Sequence, residues 1–381
     1  MIKWMFIITL FFIAAYGVAF AENGVTDNEI LLGQSCALTG PAEALGIGMR
    51  SGLNAYFSKI NEKGGINGRR IRLISRDDGY EPDEAIVNTR ELIGKRDVFL
   101  LIGEVGTPTS KAVVPIAEKA KVPFFCPFTG AEFLRNPFKK YVINLRGSYF
   151  EEMEKLAQYL IDKKKLKKIA CLYQNDGYGQ AGLAGIQKAL TKRNMELAAT
   201  GTYERNTVAI KSAVLSIRKA RPDAVVMVGA YKPCAEFIKL ARKTGMGKTV
   251  FCNISFVGTE ALRQELGDSG EGCIISQVVI FPWDETIPIV QEYTNDMKKY
   301  QPEAKIGFVS LEGYMAGKLF CSIAESVEGD LTREKFLSAI EKKKTFDLGG
   351  AVLHFGPGDN QGMDEVFLTI IKGGKIISIE G

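Results

Sequence analysis

Short apolar runs alternate with helical patterns along most of this chain. Residues 30–36 read as a strand. Over 46–61, Met49, Leu53, Tyr56, Phe57 and Ile60 fall on one helical face, ahead of a Lys63-Gly64-Gly65 stop. Residues 70–76 alternate apolar and polar as a strand, 84–93 read as a helix, and 98–102 are fully apolar, the mark of a strand covered on both faces. A helix over 110–120 and strands over 122–126 and 141–145 extend the series. The alternation predicts a parallel sheet with helices on both sides.

A second series opens near Tyr149. It predicts helices over 151–162, 180–193, 209–220, 235–243 and 259–266, with strands over 169–173, 197–203, 224–228, 250–253 and 273–280 between them. The same alternation twice implies two similar doubly wound α/β lobes, because the strands are too many for one sheet of ordinary size. Beyond residue 288 the pattern predicts helices over 290–300, 313–326 and 333–341, then hairpin-like strands over 351–355 and 366–371. No low-complexity linker separates the series, so short segments are expected to carry the chain between lobes more than once.

The first 21 residues have the three parts of a secretory signal: basic Lys3, an apolar run from Trp4 to Val18, and a small-x-small site at Ala19-Phe20-Ala21. The apolar core falls short of the ~20 residues a spanning helix needs. No Cys follows it directly, which argues against a lipid-anchored start. The expectation is an exported, periplasmic protein cut after Ala21. The remaining length suits two ordinary domains. A net charge of +5 over 381 residues is too mild to imply nucleic acid or an anionic membrane as partner. The one dense basic run, from Lys163 to Lys168, reads as a solvated turn. Seven cysteines, an odd number, lie far apart and show no metal or redox spacing. Most sit in apolar strand-like runs, where a thiol behaves as a small hydrophobe. Cys252 and Cys273, in consecutive predicted strands, are the pair to test first for a disulfide. His354 is the only histidine, so the acid–base pairs and metal clusters common to hydrolases are not available. No cofactor is implied.

In open α/β sheets ligands bind outside the carboxyl ends of the strands, so the residues just after each strand carry most information. After 98–102 comes Gly103-Glu104-Val105-Gly106-Thr107-Pro108. Thr107 suits an N-cap and Pro108 the first helical position. The bland reading is a helix start; the functional one is that its free N–H groups and partial positive charge receive a ligand carboxylate. Thr129 with Glu132 fits a capping box after the next strand, and two such starts at one sheet edge would converge on a small anion. Gly177-Tyr178-Gly179-Gln180-Ala181-Gly182 matches G-x-G-x-x-G. Three residues intervene between strand and first glycine, and the next strand is followed by an acid only at Glu204, so a nucleotide site is disfavoured. Tyr178 then reads as a loop-tip aromatic facing the other lobe. Tyr231 ends another strand at the same edge, where it either covers a helix start or walls a cleft.

Several of these segments stand together in one known family. Leu38-Thr39-Gly40-Pro41, the run from Ile60 to Gly68 with its Asn61-Glu62-Lys63-Gly64-Gly65-Ile66 centre, Asp77-Asp78, and Asp176-Gly177-Tyr178-Gly179 occur in its order and spacing. The chain resembles the exported substrate-binding proteins of ABC transporters of the leucine/isoleucine/valine-binding type. The likeness runs from about residue 25 to near the C-terminus.

That resemblance implies a two-lobed clamp, a type I periplasmic binding protein, with lobes of 22–143 plus 281–345 and 144–280 plus 346–381 joined by three crossings. It implies a monomer that closes over an amino acid or small organic acid and delivers it to a membrane permease. Thr107, with Gly106 before it, would hold the ligand carboxylate, Thr129 would serve in the following loop, and Tyr178 and Tyr231 would wall the cleft. Ser255 stands where amino-acid binders of the family carry an acidic partner for the ammonium. Leu45 replaces an aromatic, and Tyr80 and Gly106 stand where a family disulfide has its cysteines. With Phe128 beside the second loop, these departures favour a small hydrophobic carboxylate, either an amino acid with relaxed ammonium recognition or an acid lacking the amine. A clamp used for sensing, and an exported α/β enzyme, are the alternatives. The enzyme would need a nucleophile–base pair that the sequence does not offer.

Overall fold

The computed structural model describes residues 22–379, so the expected leader and its cleavage site lie outside the described residues. The first sheet contains β1 (Glu29–Cys36), β2 (Arg70–Asp77), β3 (Leu100–Ile102), β4 (Phe124–Phe125) and β5 (Val142–Ile143), all parallel, in the order β2-β1-β3-β4-β5. Its connecting helices are α1 (Glu43–Glu62), α2 (Pro82–Gly94) and α3 (Thr107–Lys119). Period-two alternation sorts the strand residues between two cores. Ile30, Leu32, Leu100, Ile102, Phe125 and Ile143 join one cluster, and Leu31, Leu101, Phe124 and Val142 join the other, with side chains of α2 and α3. The uninterrupted apolar runs of the sequence are therefore strands covered on both faces, as expected.

The family motifs fix the joints of this sheet. Asp77, at the end of β2, accepts the Leu38 N–H at 2.8 Å and the Thr39 hydroxyl at 2.6 Å, which pins the loop after β1. Asn61, at the end of α1, bonds both the N–H and the C=O of Ile71 and so ties the helix end to β2. These polar residues satisfy backbone groups of this sheet and need no ligand to explain them.

Next along the chain come α4 (Tyr149–Ala157), β6 (Ile169–Gln174), α5 (Gly177–Thr191), β7 (Ala199–Tyr203), α6 (Lys211–Lys219), β8 (Ala224–Val228), α7 (Tyr231–Lys243), β9 (Val250–Asn253), α8 (Thr259–Leu266) and β10 (Ile274–Gln277). A π-helical turn, Gln158–Lys163, prolongs α4, and the basic run that follows is almost wholly exposed. The chain continues through α9 (Pro288–Tyr300), α10 (Phe308–Glu325), α11 (Arg333–Lys343), β11 (Thr345–Asp347), β12 (Val352–His354), β13 (Phe367–Lys372) and β14 (Lys375–Ile379). The second sheet has the order β14-β13-β10-β9-β8-β6-β7, parallel from β6 to β10, with β13 and β14 antiparallel at one edge. The short strands β11 and β14 were not foreseen.

Three segments connect the two sheets. Residues 144–148 lead from β5 to α4, residues 278–287 from β10 to α9, and residues 355–366 from β12 to β13. The first and third run side by side: Asn144 donates to the Asn360 carbonyl at 2.7 Å, and Gly362 and Met363 return N–H bonds to Asn144 and Leu145, each at 2.9 Å. Arg135 braces the pair, donating to the Arg146 carbonyl at 2.7 Å and to the Gln361 side chain. Residues 346–363, expected in the second lobe, instead add Phe346, Leu348, Leu353, Phe355 and Met363 to the core of the first. The chain returns to the second sheet only at β13.

Candidate functional site

Helix α3 begins after the four residues that follow β3, at the carboxyl edge of the first sheet, and its start is cramped. Gly106 has φ +113°, and a Cβ there would lie 2.3 Å from the Tyr80 ring, so only glycine fits both the turn and the aromatic. Thr107 is the first helical residue; the cap position is Gly106 and no side chain caps the helix. The Thr107 hydroxyl is thereby released from capping and lies 2.6 Å from that of Thr129. The Tyr149 hydroxyl joins both, at 3.1 Å from Thr129 and 3.5 Å from Thr107. The three hydroxyls form one buried cluster drawn from two helix starts and one loop.

The capping box expected at Thr129 does not form. The chain makes only a three-residue 3-10 turn, Glu132–Leu134, with Ala131 as its cap, and the Thr129 hydroxyl accepts the Ala131 N–H at 3.3 Å. So short a turn has no aligned run of peptide dipoles, so Thr129 offers a hydroxyl and no helix end. The capping box of this region belongs to Ser148 and Glu151 at the start of α4, and it sets Tyr149 in the cleft.

Aromatic rings from both lobes meet beside the hydroxyls. Phe256, in the 3-10 turn after β9, lies 4.5 Å from Tyr178, 5.5 Å from Phe128 and 5.9 Å from Tyr80, centroid to centroid. Tyr149 lies 5.5 Å from Tyr178. All five rings are buried, and the Tyr178 hydroxyl has no hydrogen-bond partner. Burial pushes the Tyr178 hydroxyl pKa well above its ordinary range, so it is a neutral donor.

Against the rings sits a buried charge network. Arg146, from the first crossing, has no exposed surface, and its guanidinium carbon lies 4.5 Å over the Phe128 ring. Its Nη2 donates to the Ser255 hydroxyl, and its Nε lies 3.4 Å from a Glu312 carboxylate oxygen of α10. Glu152, one turn into α4, takes three donors: the Ser255 N–H at 2.7 Å, the Ser255 hydroxyl at 3.0 Å and the Ser276 hydroxyl at 2.6 Å. Burial raises the Glu152 pKa while Arg146 and these donors pull it back. Burial also lifts Glu312, to about 7, against the pull of Arg146. Ser255 is therefore the junction between Arg146 and Glu152. Glu104, two residues after β3, is fully buried with a strongly raised pKa, caused by burial first and Asp78 second.

Leu45 and Tyr231 lie apart from the hydroxyl cluster. They line a cavity of about 230 Å³ together with Gly258, Glu260 and Val309. There the Tyr231 hydroxyl accepts the Ala44 N–H at 3.4 Å across the lobes. Tyr178 is not a loop tip but a first-turn residue of α5, and Tyr231 is the first residue of α7. The glycine motif around Tyr178 is a packing device. Asp176 caps α5 by accepting the N–H groups of Tyr178 and Gly179, which places a carboxylate where a phosphate would bind. A Cβ on Gly179 would lie 1.7 Å from the Gln174 carbonyl.

Of the expected residues, Gly106, Thr107, Phe128, Thr129, Tyr178 and Ser255 come together, and Leu45 and Tyr231 form a neighbouring wall. Sequence reasoning missed Arg146, Glu152, Tyr149, Phe256 and Glu312. A signal existed for Glu152: it shares a helical stripe with Tyr149, Met153 and Leu156, and a carboxylate on an apolar stripe needs a partner. Among the described residues, no group of three or more His, Cys, Asp or Glu could hold a metal ion. All seven cysteines are free and buried, so the Cys252–Cys273 disulfide is not formed.

The profile of the family described as "Periplasmic binding protein" matches residues 29–375. A solved structure of a possible leucine/isoleucine/valine-binding protein from Rhodopirellula baltica SH 1 superposes with a TM-score of 0.88, at 36% identity, covering 95% of this chain and 98% of that one. The Leu/Ile/Val-binding protein homolog 7 of Brucella abortus (strain 2308) is 24% identical over 79% of this chain and 78% of its own length. The Leu/Ile/Val-binding protein of Escherichia coli (strain K12) is 22% identical over 63% of this chain, and the match spans 65% of that relative's length. With a profile match over nearly its whole described length and this two-sheet architecture, the chain belongs to the periplasmic binding protein family.

Proposed function

We propose that this protein is an exported substrate-binding clamp that closes over an amino acid or small hydrophobic carboxylate and delivers it to the permease of an ABC transporter. The observation that carries the reading is the composition of the buried site. The first lobe brings Thr107, Thr129 and Phe128, the second brings Tyr178, Ser255 and Phe256, and Arg146 comes from the crossing between them. No lobe alone encloses these groups, so a ligand touching both favours the closed arrangement by its own contacts. The relatives, named as binders of leucine, isoleucine and valine, support a ligand of this size and character.

In this reading the lobes separate about the three crossings, exposing the rings and hydroxyls to solvent. The ligand enters between Phe256 on one side and Phe128 with Tyr80 on the other, and the α3 N-terminus and its hydroxyls face it. The Leu45–Tyr231 wall closes the mouth. Family and fold are those of binding proteins rather than enzymes.

Native mass spectrometry of the purified protein, followed by thermal melting against amino acids and small carboxylates, tests the proposal. A ligand at a hundredfold excess over Kd stabilises the fold by about 2.7 kcal/mol, a clear rise in midpoint. Failure of every compound in a broad panel to move the midpoint, with no retained small molecule, would sink the reading.

A further inference from the structure

Arg146 is a buried cation with unused donors. It has 0% relative exposure, and of its three nitrogens only Nη2 makes a hydrogen bond, to Ser255. Nε and Nη1 are buried and donate to nothing, although Nε lies 3.4 Å from a Glu312 oxygen as an ion pair out of line for a hydrogen bond. Arginine carries five N–H groups in a fixed planar fork that matches a carboxylate. The plane is steadied by the Phe128 ring beneath it. Tyr149, which feels the Arg146 charge, packs against Tyr178, whose hydroxyl has no partner and whose ring touches Phe256.

The acids around the site are poorly disposed toward an ammonium. Both oxygens of Glu152 are engaged by the three donors of Ser255 and Ser276. Glu312 faces Arg146, and Glu104, with neither oxygen hydrogen-bonded, is buried beside Asp78. A ligand ammonium would have to displace one of these arrangements and also approach the arginine. A carboxylate would instead complete the donor set of Arg146.

Resting on the clamp reading, we infer that Arg146 receives the anionic group of the ligand, and that this ligand is a carboxylate without an ammonium, its apolar body packed between Phe128 and Phe256. The α3 start with Thr107 and Thr129 then holds a second acceptor, such as the keto oxygen of a 2-keto acid. The substrate class is 2-keto and aromatic carboxylates rather than α-amino acids.

Calorimetry with matched pairs tests this: phenylpyruvate against phenylalanine, and 4-methyl-2-oxopentanoate against leucine. The amine-free member of at least one pair is expected to bind tenfold or more tightly than its partner, about 1.4 kcal/mol. Arg146→Lys, which keeps the charge but loses the fork, is expected to lose tenfold or more for that compound. An amino acid binding as tightly as its amine-free partner, or more tightly, in both pairs overturns the inference while leaving the clamp intact. A loss of less than tenfold in Arg146→Lys does the same. If none of the four compounds and no other small molecule binds, the clamp reading falls with it. Should circular dichroism show Arg146→Lys unfolded, the paired titrations on the unaltered protein decide.

Discussion

Glu152 meets Ser255 through both carboxylate oxygens, Oε2 taking the backbone N–H at 2.7 Å and Oε1 the hydroxyl at 3.0 Å. Ser255 stands after β9, where the resemblance puts an acid in amino-acid binders, yet a carboxylate reaches the same place from α4. Arg146 binds that serine from the other side, so the serine links a cation and an anion that are both out of water. The network joins the first crossing to the second lobe.

Removing one member of such a network strands the others. Glu152→Ala leaves Arg146 with Glu312 alone and takes the acceptor from Ser255 and Ser276. Leaving a buried hydrogen-bond donor unsatisfied costs about 1–3 kcal/mol, and three donors lose their acceptor here. Chemical denaturation should show a loss of that order, with an unchanged m-value if the denatured state is unaffected. A loss below about 1 kcal/mol would mean that the Ser255 and Ser276 donors find other acceptors and that Glu152 does not hold the network together.

Thr107→Val tests the hydroxyl cluster with little change of shape. Thr107 does not cap α3, so the helix should survive, and the stability cost is that of one buried hydrogen bond to Thr129, about 1 kcal/mol. Affinity for the ligand should fall further, by roughly 1.5–3 kcal/mol if the hydroxyl meets a charged acceptor and roughly 0.5–1.5 kcal/mol if it meets a keto oxygen. Unchanged affinity by calorimetry would confine Thr107 to a packing role.

The legibility of the site divides along a physical line. Gly106, Thr107 and Thr129 were readable because they follow strands directly, where chain order and position at the sheet edge coincide. The α/β alternation was readable because strand and helix periods differ. Arg146, Glu152 and Glu312 come from a crossing and two helices far apart in sequence, and nothing local marks them as neighbours. Thr129 misled because Thr-x-x-Glu has the form of a capping box whether or not a helix follows, and here the 3-10 turn ends after Leu134. Residues 346–363 misled because the hairpin strands look alike, although only β13 and β14 extend the second sheet.

Thiol chemistry gives an independent check on the core. All seven cysteines are free and buried, and burial raises their pKa values, to about 12 for Cys171 and to about 11 for Cys273, where Arg242 partly offsets it. Reaction with disulfide reagents proceeds through the thiolate, which is scarce here and shielded. The native protein at pH 8 should therefore show almost no reaction, with seven thiols appearing on denaturation, and reductant should not move the melting midpoint. A prompt reaction of one or more thiols in the native state would contradict the described packing.

The buried carboxylates set the pH dependence. Burial lifts Glu312 from 4.5 to about 7 and Asp78 from 3.8 to about 6, in each case against partners that lower it, Arg146 for Glu312 and the Ser35 hydroxyl for Asp78. Glu152 also raises the value for Glu312, and Arg135 lowers it. Between about pH 5 and 7 the folded protein holds protons on these groups that the unfolded chain has already released. Stability must then fall as pH rises through that window and level off above it. The surface acids with lowered pKa values, such as Asp77 and Asp223, act only at or below their ordinary range and do not oppose the trend there. For Glu312 alone the span corresponds to an upper limit on the order of 3 kcal/mol. The melting midpoint should be higher at pH 5.5 than at pH 8, and Glu312→Gln should flatten the difference while leaving the low-pH value nearly unchanged. A midpoint that rises from pH 5.5 to 8 would show that these carboxylates are ionised throughout and that Arg146 holds Glu312 more strongly than burial opposes it.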